Sequence, residues 1–562
     1  MLLLKRKLLL SCFAVLGAIV VLFSVRNLFN PTPTIRERVY TELFENIEKF
    51  RPIRPPKDRY AKLRLPSCDM SNTGINTGDS VERTTYENLD HCYHISKTQF
   101  EGLQAPHTGF LTSLKTAFNY EEGSSVLDYL FPEEKGFVTV GGGRFSLLSY
   151  TMIKTLRERG SKLPIEVIIP PQDEKGEAQY CNEILPQLNA RCVFFSDVLP
   201  SSLVENWTFE KYQIKAVALL ISSFKKIVFI DADDYPLKSI DSIFESKVVQ
   251  EHGLVLWPDL WRRATAPVFY RLANIEVSLM RRVRNLGDDV TPVSHYQNTE
   301  EELDLKKIPF HDMQGTVPDP TTESGQMVID KVRHFRTLLL ALYYNVYGPQ
   351  WYYSLFSQGT AGEGDKETFA TAAHVLGLPY YQVKTKLAFD GYYNPDPEAK
   401  NDFRGVALYQ HDCTQDFELH EKARLLVLDK IEEYKKFNKD YNPEENFYKD
   451  LMKPEDKSDI DVMFAHASFH KFDPWQLYHE NVYLKPDGSQ LRTFRNLKKI
   501  NNFDIELFNF EVLQAAMCSE KPIQFAYFQD KLTSPEWPQV CEYVANRVKF
   551  LKETHDEATG KA

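Results

Sequence analysis

An α/β fold built on a mainly parallel central sheet is what this sequence predicts, and three features predict it. From residue 136 onward, short apolar runs alternate with stretches of helical spacing. One run, Ile227-Val228-Phe229-Ile230, ends in the acids Asp231 and Asp233. An uncharged N-terminal segment sets the whole body beyond a predicted single transmembrane helix and stem. Strands separated by helices of about 10–15 residues assemble as right-handed βαβ units, whose strands lie parallel.

Lys5, Arg6 and Lys7 precede eighteen uncharged residues, Leu8 to Val25, closed by Arg26. At 1.5 Å per residue this run spans about 27 Å, enough for a thin bilayer. A cleaved signal has an apolar stretch of about 7–15 residues and a small-x-small site, which Val21-Leu22-Phe23-Ser24-Val25-Arg26 does not offer. The expectation is a cytoplasmic tail (1–7), a signal anchor (8–25) and a stem (26–83), the basic cluster holding the N-terminus in the cytoplasm. Prolines such as those of Arg51-Pro52-Ile53-Arg54-Pro55-Pro56 block helix and sheet interiors, so residues 27–66 are read as extended. The body, 84–562, divides into a nucleotide-binding core (about 135–260), an acceptor and metal-completing part (about 261–480) and a C-terminal helical region (481–562). A hydrophobic content of 43% supplies a sizeable core, and a net charge of -11 argues against nucleic acid as a partner.

Within the body, Phe137–Val140 is a strand stopped by Gly141-Gly142-Gly143, and a helix carrying Leu147, Leu148, Ile153 and Leu156 follows. Strand 165–169 is closed by Pro170-Pro171; a helix near 177–188 and strand 192–195 come next. A helix from Lys211 to Ser223 leads into strand 227–230, and a further strand is Gly253–Leu256. Glu323-Ser324-Gly325-Gln326 is read as opening an apolar helix, 327–343, and Gly364-Asp365-Lys366-Glu367 as opening another with Asp365 as N-cap. Beyond Cys12 in the anchor, the cysteines pair by proximity as Cys68–Cys92, Cys181–Cys192 and Cys518–Cys541, leaving Cys413. Free buried thiols are the alternative, because spacing does not fix connectivity. Asn206-Trp207-Thr208 is a glycosylation sequon.

Side chains two apart on a strand face the same way, so Asp231 and Asp233 converge on one point. In α/β sheets ligands bind outside the carboxyl ends of strands, where these acids lie. Hard Mn²⁺ or Mg²⁺ ions take carboxylate oxygens together with substrate phosphates, and neutralise charge on a leaving diphosphate. Gly141, Gly142 and Gly143, followed by Arg144, allow close approach of a nucleotide to a helix start. They do not form the dinucleotide fingerprint, and a nicotinamide cofactor is unsupported. Trp257, Asp259 and Trp261 are candidates to line a sugar site, an aromatic face stacking on a pyranose.

Tyr212-Gln213-Ile214-Lys215-Ala216, the Asp-x-Asp strand with Tyr235-Pro236-Leu237, Gly141-Gly142-Gly143, Leu163-Pro164-Ile165-Glu166-Val167, Trp257-Pro258-Asp259-Leu260-Trp261, Glu323-Ser324-Gly325-Gln326 and Gly364–Phe369 together resemble the fungal Golgi α-mannosyltransferases of N-glycan outer-chain (mannan) synthesis. The likeness is strongest to the members that initiate branches in α-1,2 linkage, and covers about residues 135–475. It implies a GT-A type fold, GDP-mannose as donor, Mn²⁺ as cofactor, transfer with retention onto an α-1,6-mannan backbone, and a type II Golgi membrane protein. By the same resemblance, Lys215 and Lys471 lie on the donor side and a late histidine completes the metal shell. His466, after the strand Val462-Met463-Phe464, is favoured for this over His470. Glu323, Gln326, Asp365 and Glu367 are then the candidates for the chemical step and the sugar hydroxyls. A third acid, Asp234, stands where a polar residue such as Asn is expected, and leaves linkage and acceptor open. The rival readings are α-1,3-mannosyl or mannosylphosphate transfer on the same scaffold, a catalytically silent glycan-binding subunit, and a hydrolase with paired carboxylates.

Overall fold

The computed structural model describes residues 33–560 except 56–64, 66–67, 69, 71, 297–302, 397, 399–401, 435–446, 448, 456–458, 468 and 496, and except the side chains of 430–434. The predicted anchor, 8–25, lies outside these residues. Among the described residues no helix is long and apolar enough to cross a membrane.

The centre is a seven-stranded sheet of β1 (Glu133–Val140), β2 (Ile165–Ile169), β3 (Ala190–Phe194), β4 (Phe224–Ile230), β6 (Leu254–Pro258), β7 (Thr322–Asp330) and β8 (Tyr381–Gln382). Its order is β8-β6-β7-β4-β1-β2-β3. All pairs are parallel except those made by β7, which runs antiparallel to both β4 and β6. Four further strands, β5 (Asp234–Pro236), β9 (Ala388–Tyr393), β10 (Phe403–His411) and β11 (Val462–His466), form an antiparallel sheet in the order β9-β10-β11-β5.

Every residue of β2, β6 and β7 is buried, as expected where a sheet is covered on both faces. Alternation then divides the core. Ile227 and Phe229 of β4 join the cluster under helices α1 (Ile35–Lys49), α2 (Lys97–Thr116), α4 (Tyr212–Ile221), α5 (Phe335–Val346) and α6 (Lys366–Leu376). Val228 and Ile230 join the cluster with α3 (Phe145–Glu158), the small sheet, and the C-terminal helices α7 (Ile505–Met517) and α8 (Trp537–Glu553).

Two local expectations are overturned. Residues 35–49, read as extended, are a helix with a Thr34/Glu37 capping box and five buried apolar side chains. The prolines that suggested extension flank this helix and do not interrupt it. Residues 327–330, read as helix, complete β7, and the apolar helix begins only at Phe335. A strand buried on both faces has no polar alternation, so its sequence imitates a buried helix. Disulfides link Cys68–Cys92, Cys181–Cys192 and Cys518–Cys541, and Cys413 is free and buried.

Candidate active site at the junction of the two sheets

The chain leaves β4 for the small sheet through Asp231-Ala232-Asp233 and enters β5 at Asp234. The link is a turn, closed by the Asp234 amide donating to the Asp231 carbonyl at 3.0 Å. The two acids therefore converge through a turn rather than through strand alternation. The Asp231 amide also donates to the Gly325 carbonyl at 2.6 Å, fixing the turn to β7.

β11 pairs with β5 so that His466 stands opposite Asp234. His466 Nε2 lies 3.6 Å from an Asp233 oxygen, and one ligand atom from each of Asp231, Asp233 and His466 lies within 4.8 Å of the others. Glu323 Oε1 holds the other face of the ring at 3.1 Å from Nδ1, and also accepts from the Gly325 amide at 2.9 Å. Burial works against charge on both partners. The ion pair outweighs it, raising His466 to about 9 and lowering the Glu323 carboxyl. Lys471 touches the second oxygen of Asp233. Burial lowers its ammonium to about 8, with Asp231 opposing the fall.

On the other side of the turn, Lys215 Nζ donates to Asp231 at 2.9 Å and to the Ser324 carbonyl at 2.8 Å, and lies 3.3 Å from Asp365. Burial opposes its charge, but Asp231 and Asp365 more than offset that and hold it above its usual range. Asp365 stands at the N-cap position of α6 without capping it; it accepts from the Ser324 hydroxyl at 3.2 Å. Asp234 is fully buried, and neither carboxylate oxygen has a hydrogen-bond partner among the described residues. Burial pushes its carboxyl well above the usual range.

The structure thus brings together Asp231, Asp233, His466, Lys215, Lys471, Glu323 and Asp365. It places other candidates elsewhere. Trp257 is wholly buried between the sheets, edge-on to Phe464, its indole N–H donating to the His411 carbonyl at 2.8 Å, so it has no face for a sugar. Asp259 is ion-paired with Lys366 at 2.6 Å. Glu367 is buried against Arg263 and accepts from the Thr322 amide at 3.0 Å, which ties α6 to β7. Gln326 is fully buried in β7 and its amide has no partner among the described residues. Trp261 pairs by its backbone with Gly74.

At the end of β1, Gly142 and Gly143 have φ of 91° and 54°, where a side chain is strained, and a Cβ on Gly142 would lie 2.7 Å from Asp173. Gly141 has no room for a Cβ against Val167. Arg144 is exposed at the head of α3, and its charge is felt at Lys471 and Asp473. Asn206 is exposed. His470 does not join the cluster. What sequence reasoning missed is the pairing of Glu323 with His466, 143 residues apart. The motif Glu323-Ser324-Gly325-Gln326, read as a helix start, was its only signal.

Two acids on a strand-edge turn, an imidazole and two ammonium groups thus meet at the junction of the two sheets, and the family to which the chain belongs makes it a glycosyltransferase. Residues 134–412 match the Mannosyl_trans3 mannosyltransferase family. Over 94% of the chain it is 45% identical to the α-1,2-mannosyltransferase MNN5 of Saccharomyces cerevisiae strain YJM789, covering 91% of that protein. It is 40% identical to the α-1,2-mannosyltransferase MNN2 of S. cerevisiae over 92% of this chain and 85% of that one. The α-1,2-mannosyltransferase MNN21 of Candida albicans is 37% identical over 75% of this chain and 63% of its own. Among solved structures, the galactosyltransferase LgtC with donor and acceptor sugar analogues aligns at 10% identity and a TM-score of 0.25, over 44% of this chain and 73% of that one, too distant a likeness to carry weight. The chain belongs to the family of fungal α-1,2-mannosyltransferases, and it is a mannosyltransferase.

Proposed function

We propose that this enzyme is a type II Golgi membrane protein with a GT-A type core, which transfers mannose from GDP-mannose, with retention, to the α-1,6-linked mannan backbone of N-glycans in α-1,2 linkage. The observation that carries the reading is the convergence of Asp231, Asp233 and His466 at the junction of the two sheets. Two carboxylates and an imidazole suit a divalent ion such as Mn²⁺, and the Glu323–His466 contact is the outer-shell partner that metal-bound histidines require.

Asp231, Asp233 and His466 would hold that ion, whose chemistry is neutralisation of charge on a departing diphosphate. Glu323 accepts a hydrogen bond from His466 Nδ1 and so would turn Nε2 toward the ion. Lys215 orients the Asp231 carboxylate through their hydrogen bond. Lys471 and Arg144 bring positive charge to the same edge of the sheet, where the diphosphate would bind. Asp365, held by Ser324, is the carboxylate proposed to meet the transferring sugar. Asn206 is the proposed glycosylation site.

The test is turnover of GDP-mannose by the purified enzyme with and without Mn²⁺, using mannose oligomers as acceptors, followed by linkage determination. New α-1,2 bonds that require the metal are expected. An α-1,3 bond or a mannosyl phosphate product would reassign the reaction, and no turnover with any of these acceptors would reject the proposed donor and acceptor.

A further inference from the structure

Beside the site lies a groove of about 820 Å³, formed by the start of β10, the segment after β11 and the loop around residues 481–491. Its size falls in the range of about 300–1,000 Å³ typical of ligand sites. Two of its walls are apolar faces turned to solvent: Phe469 is 65% exposed and Phe403 38%. Between them stand polar groups of planar shape. Arg404 engages Asp402 through Nε at 2.9 Å and through Nη2 at 2.6 Å, which leaves the N–H groups of Nη1 for a ligand. His470 has no hydrogen bond among the described residues. Lys485 lines the far side.

The groove is physically continuous with the catalytic turn. His466 and Lys471 both reach Asp233, and Phe469 and His470, directly before Lys471 in the sequence, line the groove. The Phe469 amide donates to the Val406 carbonyl of β10 at 3.4 Å. His466 is paired with Leu408. Arg404, four residues earlier on the strand, therefore lies about 13 Å along it from that register. This is too far for the hydroxyl that reacts, but a suitable distance for neighbouring sugars of the same chain.

We propose that this groove is an acceptor subsite, which binds the extended part of a mannose polymer by stacking pyranose rings on Phe469 and Phe403 and hydrogen-bonding their hydroxyls to Arg404, Asp402 and His470. The inference rests on the mannan acceptor proposed above and adds to it that the enzyme measures acceptor length. Aromatic faces with a few fixed polar groups are the chemistry that recognises neutral sugars, and nothing in the groove requires an anionic ligand.

The experiment compares the full-length wild type with Phe469→Ala and Arg404→Ala on α-1,6-linked mannose oligomers of graded length. In the wild type kcat/KM should rise with length. Each substitution should flatten that rise, costing about tenfold on long oligomers, while kcat/KM on the shortest acceptor and KM for GDP-mannose stay unchanged. Both side chains are exposed, so the variants should melt with the wild type. A wild type indifferent to acceptor length, variants that keep its length dependence, or an equal loss on short and long acceptors would each overturn the proposal. Calorimetric titration of a long oligomer, without donor, separates the two readings. Binding weakened by Phe469→Ala in an enzyme that transfers no mannose would keep the groove and reject the reaction; no binding by the wild type would reject the groove.

Discussion

At Asp233 one carboxylate faces both His466 and Lys471, while Asp231, two residues away, faces Lys215. Burial penalises charge on each of these groups, and the opposite charge beside it offsets that penalty. Asp231→Asn and Asp233→Asn keep the shape and remove the charge. Each should lower kcat/KM by at least about 10²–10³-fold, the loss typical of removing one preorganised electrostatic contact, with the melting temperature little changed; wild-type turnover by either variant would reject the site. Glu323→Gln tests a different link. Gln still presents an oxygen to Nδ1 but no charge, so Mn²⁺ affinity, titrated by electron paramagnetic resonance, should fall about 10–100-fold. Unchanged affinity would show that Glu323 does not orient His466. The acids, the histidine and both lysines were legible because each sits beside an apolar run or within a recognisable motif. Glu323's role was not, because only folding brings it to His466. Trp257 was a candidate as an aromatic face and Glu367 through the resemblance, but their burial and their contacts with His411 and Arg263 follow from the tertiary fold, which neither signal carries.

The elements show the same division between what is local and what is not. Strands β1, β2 and β4 were readable from short apolar runs with punctuation after them: glycines at 141–143, prolines at 170–171 and acids at 231–233. β7 was not, because its neighbours β4 and β6 come from distant parts of the chain and bury it on both faces. The antiparallel course of β7 is what delivers Glu323 to His466 and Ser324 to Lys215. The C-terminal layer offers a test of support at a distance. Arg547 of α8 and Glu506 of α7 form an ion pair with neither side chain exposed, and Glu506 also accepts from the Thr493 amide and hydroxyl. Arg547→Met leaves a buried carboxylate without its cation and should cost about 3–5 kcal/mol, read from urea denaturation. Adding Glu506→Gln should recover part of that loss. A single variant as stable as the wild type would mean that water reaches the pair.

For the whole molecule, the decisive boundary lies at the start of the body, where α1 is not a spacer but part of the core. Val39, Tyr40, Leu43, Phe44 and Ile47 are buried, and Phe44 packs edge-on against Trp207 at 4.8 Å. Four hydrogen bonds fasten the same segment to α4, to α5 and to the turn that follows α5. Tyr40 donates to the Leu220 carbonyl at the end of α4, and Tyr347, Tyr343 and Trp351 donate to the carbonyls of Ile47, Phe50 and Ile53. At about 1.5–3 kcal/mol per buried apolar side chain, the helix supplies on the order of 10 kcal/mol, comparable to the whole stability of a domain. Truncation should therefore be tolerated in one place and not in another. An enzyme lacking residues 1–32 should fold, melt near the full-length value and transfer mannose. One lacking residues 1–50 uncovers α4 and α5, and should aggregate or melt well below it, with activity lost through folding while the catalytic residues remain intact. Because α4 also carries Lys215, any of the shorter protein that folds should show weakened metal binding along with weakened stability. A stable, fully active enzyme beginning at residue 51 would return α1 to the stem and detach it from the catalytic core.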